Sequence, residues 1–359
     1  MRCLTLVHWL IGYGGLHENV LDVSAAFARR GHEVTVVHPA SPIDARLADA
    51  GCASITDDLS NPVRTLVAAL KSGPYDFIYA HPGLARRAAL AIARTTGAPL
   101  FMTIHGQYDD QLQTYWQDVE RIITVSDEIK SFIVSRGVPQ ERIRVCPNCV
   151  DFDQFRPNAS IAADPNSVLI ASRIDPDKHV LLDVLRDGVD EVARRGSPFE
   201  GPVRWRVAGA GFYGDAADRL FDDIRARLRP DQQTFDSAGW LADRASLNTA
   251  FQSAAVVIGS GRAAAEAIAA ERPTIAVASR GYEGLIRKAN FHAALGRNFG
   301  GCATPESSYR PGALYADLAA ARATEDAEAL SKRLRKLRSL DKIDEHVCEI
   351  EAIVAARRA

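Results

Sequence analysis

Arg173 and Lys178 stand in the segment Ser172-Arg173-Ile174-Asp175-Pro176-Asp177-Lys178, directly after an apolar run, Ser167 to Ser172, that reads as a strand. Ligands of α/β sheets gather at strand carboxyl ends, and two cations there would neutralise charge developing on a leaving diphosphate. The same segment also reads as a solvated turn whose ion pairs are internal. Gly259-Ser260-Gly261-Arg262 follows another apolar run and opens a helical stretch containing Glu266. Unfilled amides at that helix start would form an anion site, and Glu266, one turn inside, could accept hydrogen bonds from a ribose diol. A capped helix whose early glutamate only complements the dipole would look the same. Gly12, Gly14 and Gly15 place bare amides at a further helix start, open to an anion or a sugar hydroxyl.

His81 and His105 both close apolar runs and are followed by Pro82-Gly83 and Gly106. Such positions face a ligand crevice, although a lone histidine is as readily structural, and no spacing pairs these two as metal ligands. Tyr108, Asp109, Asp110, Tyr115 and Trp116 follow His105 and could line an acceptor pocket, or simply form a surface loop. Asp151-Phe152-Asp153 and Asp175-Pro176-Asp177 imitate a metal-binding DxD but read as loop residues, so no metal is expected. Gly209-Ala210-Gly211-Phe212-Tyr213-Gly214 matches the dinucleotide GxGxxG literally, with Asp236 at about the right distance for a ribose acid. It follows the second strand of its half rather than the first, which favours a plain strand-to-helix turn. In the first half the strand after the glycine loop ends in His38, where a dinucleotide site would want an acid.

These residues need strands and helices in alternation to hold them. The first such unit is Cys3 to Leu10, a glycine loop, the helical stretch His17 to Arg30, and Glu33 to His38. Phe77 to Ala80, Leu84 to Thr95, Leu100 to Ile104, Arg121 to Val125, Glu128 to Arg136 and Arg142 to Cys146 continue it. A region punctuated by Pro147, Pro157 and Pro165 then reads as a linker. A second series follows in Ser167 to Ser172, Arg204 to Ala208, Gln233 to Ser237, Ala255 to Ile258 and Thr274 to Ala278. The pattern predicts an α/β protein of two Rossmann-like, doubly wound domains facing a cleft. The expected boundaries are 1–157 and 158–335, with 336–359 a helical tail that could pack back on the first domain.

A chain of 359 residues is long for one core, and about 150 residues per domain also suggests two. With 47% hydrophobic and 25% charged residues and a formal net charge of -2, nothing steers it toward nucleic acid or an anionic surface. The six cysteines are scattered, and Cys146-Pro147-Asn148-Cys149 lacks the second pair of a zinc site and the context of a redox motif. Free thiols and the absence of a leader or a long apolar span point to the cytoplasm.

Taken in order, these segments resemble the family-four retaining glycosyltransferases of the GT-B fold across nearly the whole chain. The resemblance is carried by Gly14-Gly15-Leu16-His17-Glu18 with Arg30-Gly31-His32-Glu33, by Val125-Ser126 through Gly137-Val138 to Pro147-Asn148-Cys149-Val150-Asp151, and by Arg173 to Lys178. Thr103-Ile104-His105-Gly106 is similar to the family's strand end whose histidine reaches the donor sugar. The resemblance implies a hexosyltransferase that moves a sugar, with retention, from a UDP- or GDP-linked donor to a small-molecule or glycan acceptor, without metal or other cofactor. It implies Glu266 on the ribose, and Arg173 and Lys178 on the phosphates. Acceptor residues would come from the first domain. The family's first glutamate, upstream of Glu266, falls on Ile258. Arg262 or Glu283, in Gly281-Tyr282-Glu283-Gly284, is then the candidate to replace it. Two rivals remain open: a nicotinamide-dependent oxidoreductase using Gly209 to Gly214, and a sugar-nucleotide-binding relative without ordinary glycosyl transfer.

Overall fold

The computed structural model describes residues 1–9, 14–108, 110–212, 214–241, 243–300, 302 and 308–358. Gly12, Asp109 and Tyr213, singled out above, lie outside the described residues. The chain divides into two compact units, Met1–Cys149 with Leu340–Ala359, and Val150–Ser339. From sequence the boundary falls after Pro157; the chain divides earlier because Val150, Phe152 and Phe155 are buried in a core of the second unit.

In the first unit, strands β1 (Arg2–Leu6), β2 (Glu33–His38), β3 (Ala53–Thr56), β4 (Phe77–Ala80), β5 (Leu100–Ile104), β6 (Arg121–Thr124) and β7 (Ile143–Val145) form one sheet in the order β3-β2-β1-β4-β5-β6-β7, every pairing parallel. Helices α1 (Gly15–Arg29), α2 (Ile43–Asp49), α3 (Pro62–Ser72), α4 (Leu84–Thr96) and α5 (Asp127–Ser135) connect them. β4 and β5 are buried at every position, as central strands covered on both faces must be, so their sequences read as unbroken apolar runs. Local signals set the helix starts. Asn61 caps α3 by accepting from the amides of Val63 and Arg64, both at 3.1 Å, with Pro62 at the first position, and Ser126 caps α5 through Ile129.

The second unit repeats the plan with β8 (Asp164–Ala171), β9 (Val203–Ala208), β10 (Gln233–Gly239), β11 (Ala254–Gly259), β12 (Thr274–Val277) and β13 (Tyr282–Leu285), in the order β10-β9-β8-β11-β12-β13. All pairings are parallel except β12 with β13. Its helices are α6 (His179–Arg195), α7 (Ala216–Arg227), α8 (Arg244–Gln252), α9 (Gly261–Ala269), α10 (Phe291–Gly296), α11 (Ala313–Ala321) and α12 (Ala327–Arg338). Trp205 lies at the centre of one face, where its indole N–H donates to Gln233 Oε1 at 2.9 Å; a buried indole needs such a partner. The segment containing Glu283 is the antiparallel edge strand β13, which the strand series read from sequence does not include.

The last helix, α13 (Asp341–Arg358), belongs to the first unit and packs on α1. Ile343, Val347, Ile350 and Val354 enter that unit's core, while Glu351 binds Arg30 at 2.6 Å and His32 at 2.6 Å.

Candidate functional site

A doubly wound sheet opens a crevice at its carboxyl edge where the strand order reverses, because the connections on either side leave in opposite directions. In the second unit that point lies between β8 and β11, neighbours whose last residues, Ala171 and Gly259, pair in register. The loop Ser172 to Lys178 leaves one of these strands, and Ser260-Gly261-Arg262 leaves the other into α9. The fold therefore brings together Arg173, Lys178, Gly259, Ser260, Gly261 and Arg262, which lie far apart in sequence. Gly259 keeps this turn tight, since a Cβ there would come within 3.2 Å of the amide of Ala264. Gly261 has φ +51°, and Ser260 gives no side-chain cap to the first turn of α9.

Arg173 is already in ion pairs. It binds the buried carboxylate of Asp175 and, at 2.9 Å, that of Asp177, which is half exposed. Asp175 also accepts from the amide of Phe212 at 2.7 Å, and the amide of Ile174 donates to the carbonyl of Ala210 at 3.0 Å. The loops after β8 and β9 are thus stapled together. This contact explains the glycines at 209 and 211: a Cβ on Gly209 would lie 1.9 Å from the carbonyl oxygen of Ser172, and one on Gly211 would lie 2.9 Å from that of Ile174. The GxG is needed for loop-on-loop packing beside the second strand of the sheet, and the motif is accounted for without a dinucleotide. Lys178 makes no ion pair with a described residue, and burial together with nearby Arg173 pushes its pKa down to about 8.

Glu266, on α9, is buried. Its Oε1 accepts from Arg262 Nε at 2.7 Å and from Arg244, which also lies over the ring of Phe155 at 4.6 Å. Its Oε2 makes no hydrogen bond to a described residue. Arg262, read above as a ligand, is therefore also a support for Glu266. Glu283 is held bidentately by Arg297, with Nε to Oε1 at 2.8 Å, and is buried, so its carboxylate is spent inside the unit. Ile258 is fully buried inside β11. Asp175, Arg244 and Arg297 were not foreseen as site residues. Asp175 was visible only as half of a DxD look-alike, and no spacing links Arg244 on α8 to Glu266 on α9.

In the first unit the order reverses between β1 and β4. Gly14 precedes α1 with extended backbone at φ 171°, and a Cβ on Gly15 would meet nothing within 4 Å. His81 follows β4 and His105 follows β5, and the sheet brings their rings together, Nδ1 of His81 lying 2.7 Å from Nε2 of His105. Burial pushes the pKa of His105 down to about 4 and that of His81 well below its ordinary value, so both are neutral imidazoles at pH 7. Tyr108 folds back on the same loop, its ring against Gly106 and its hydroxyl 3.5 Å from the amide of His105. Asp110 is bound by Arg86 at 3.0 Å and by the Tyr115 hydroxyl at 2.6 Å. Among the described residues no group of three or more His, Cys, Asp or Glu side chains is placed to hold a metal, and no helix is long and apolar enough to cross a membrane.

Two Rossmann-like units with these strand orders match the GT-B fold, and solved structures of that fold align over nearly the full length. A glycosyltransferase from Rickettsia africae aligns with 99% of this chain and 98% of its own, at 14% identity and a TM-score of 0.74. HepE from Anabaena, solved with UDP-glucose, aligns over 98% and 99% at 16% identity and a TM-score of 0.70. A UDP-GlcNAc 2-epimerase from Neisseria meningitidis aligns over 98% and 100% at 10% identity and a TM-score of 0.60. Residues 13–154 match the profile of Glycosyltransferase Family 4, in line with the resemblance drawn from that part of the sequence. No curated protein matches the chain in sequence.

Proposed function

We propose that this protein is a glycosyltransferase that moves a sugar from a nucleoside diphosphate-sugar to a hydroxyl acceptor with retention of configuration. The observation that carries the proposal is the convergence of Arg173, Lys178 and the start of α9 on the strand-order reversal of the second unit. The diphosphate lies against these groups and Glu266 Oε2 receives the ribose hydroxyls. Arg173 exchanges its pair with half-exposed Asp177 for a phosphate oxygen while buried Asp175 keeps the guanidinium in place. Such an exchange costs little, because a solvent-screened pair contributes at most about 1 kcal/mol. In the transfer the bond from the anomeric carbon to the phosphate oxygen breaks, the acceptor oxygen bonds that carbon, and the acceptor proton passes to the leaving phosphate. The cations stabilise the charge that accumulates on the diphosphate without a metal. In the first unit His105 and the Gly14-Gly15 turn are the groups for the donor sugar, and Tyr108 is a group for the acceptor.

HepE, solved with UDP-glucose, makes UDP the first base to test. Calorimetry with UDP, GDP, ADP and NAD on the wild type, Arg173→Ala and Glu266→Gln tests the site. Binding of one nucleoside diphosphate, weakened in both variants, is the expected result; binding of NAD alone, indifferent to both, overturns the proposal. A second reading has one observation in its favour. Ile258 occupies the position of the family's first glutamate, and a fold relative that acts on UDP-GlcNAc without transferring it exists in the 2-epimerase. Nucleotide-sugar turnover that never joins sugar to an added acceptor would select it.

A further inference from the structure

We propose that His81 is the positioning residue of His105, fixing both its ring and its tautomer so that Nδ1–H faces the ligand. The inference rests on the reading of His105 as a ligand-facing group of the first unit. Tyr79 and His81 are two positions apart along β4 and its exit, and Thr103 and His105 two apart along β5, so each pair shares one face. The strands are parallel neighbours, and the side chains meet in two rungs: Tyr79 Oη lies 2.6 Å from Thr103 Oγ1, and His81 Nδ1 lies 2.7 Å from His105 Nε2. The imidazole centroids lie 5.0 Å apart with 23° between the ring planes, as a bond in the plane of both rings requires, and the Tyr79 ring lies edge-on to His81 at 5.7 Å. His81 is 1% exposed, whereas His105 is partly exposed.

One hydrogen lies between two neutral imidazoles, so one ring donates and the other accepts. Because the contact uses Nε2 of His105, only its Nδ1 remains for anything outside, and Nδ1 makes no hydrogen bond to a described residue. The direction of the bond follows from the far side of His81, whose Nε2 is buried and has no partner among the described residues. If His105 donated, that Nε2 would carry a buried hydrogen with no acceptor, the rarer kind of orphan in folded proteins. If His81 donates, its Nε2 is a bare lone pair and His105 keeps its hydrogen on Nδ1. His105 then presents a fixed, uncharged N–H donor, suited to a hydroxyl oxygen and indifferent to pH near neutrality.

Imidazole nitrogen NMR of the full-length chain reads the tautomer directly. The wild type should show His105 as Nδ1–H alone at pH 7, and His81→Leu should release it into a mixture of tautomers. His81→Asn should hold the single tautomer, since the asparagine amide can stand where Nδ1–H of the imidazole stood. With UDP-glucose as probe, UDP release should fall about 10- to 100-fold in His81→Leu at unchanged KM and return most of the way in His81→Asn. An Nε2–H tautomer in the wild type, or a His105 signal unmoved in His81→Leu, overturns the assignment. The wild-type spectrum and His81→Asn decide it even if the leucine variant does not fold. UDP release unaffected in His105→Ala would instead remove the ligand-facing reading of His105, leaving the tautomer result to stand or fall by itself.

Discussion

At the residue scale, Lys178 is a cation without an ion-pair partner among the described residues at a proposed phosphate site, and its charge depends on pH. Burial and Arg173 lower its pKa to about 8, so it is charged below that value and neutral above it. Nucleoside diphosphate affinity should therefore fall as pH rises through about 8, in contrast to a Lys178→Met variant, whose affinity should be lower and flat there. Identical pH profiles in calorimetry would exclude the lysine. Glu266 calls for a choice of substitution. Glu266→Ala removes the buried carboxylate that Arg262 and Arg244 share, and breaking such a buried ion pair costs about 3–5 kcal/mol. Urea unfolding should show that loss in the alanine variant and a smaller one in Glu266→Gln, which is why the glutamine variant is the fair test of binding. Gly209→Ala drives a methyl into the Ser172 carbonyl at 1.9 Å, and backbone must move. A loss of about 1–3 kcal/mol with weakened nucleotide binding is expected, because the displaced loop carries Arg173. Wild-type stability in that variant would mean the two loops part easily.

At the scale of elements, agreement with the sequence follows burial. Phe77–Ala80 and Leu100–Ile104 were legible to the residue because parallel strands covered on both faces are unbroken apolar runs, and Glu33–His38 through its buried Val34, Val36 and Val37. β3 is largely exposed at the sheet edge and went unread, as did α2 and α3 around it. The antiparallel strand β13 was hidden by its glycine and by a glutamate whose partner, Arg297, lies on another element. Gly188 shows packing overriding propensity. It sits inside α6, where alanine would favour the helix by about 0.5–1 kcal/mol. A Cβ there would meet Leu314 Cδ2 of α11 at 2.5 Å, and Leu314 is fully buried. Gly188→Ala should therefore be destabilising by about 1 kcal/mol net. A raised melting temperature would show that Leu314 can turn aside.

At the scale of the molecule, neutral buried histidines are concentrated in the first unit. Burial lowers His17, His105 and His346 to about 4 and His81 well below its usual range. Each is uncharged when folded but takes up a proton in the unfolded chain below about pH 6.5, so stability falls with pH between about 6.5 and 4. The slope is about 1.4 kcal/mol per pH unit for each histidine. Hydrogen exchange between pH 7 and 5 should show β1, β4, β5 and α13 losing protection before β8, β9 and β11. Equal loss in both units would mean the histidines become hydrated without unfolding.

Alternating apolar runs and glycine-punctuated turns determined by themselves that this chain forms two parallel-sheet units, because hydrophobic periodicity is a local property read along the chain. The cations at 173 and 178, the helix start at 259–262 and the two histidines were legible for the same reason: each sits at the carboxyl end of a strand the sequence already declares. What those side chains do to one another was decided only by the tertiary structure. The closing of Arg244 on Glu266, of Arg297 on Glu283 and of His81 on His105 joins residues from different elements. Sheet order and helix packing set those distances, and a pair's charge or tautomer depends on distance and burial, neither of which sequence spacing encodes.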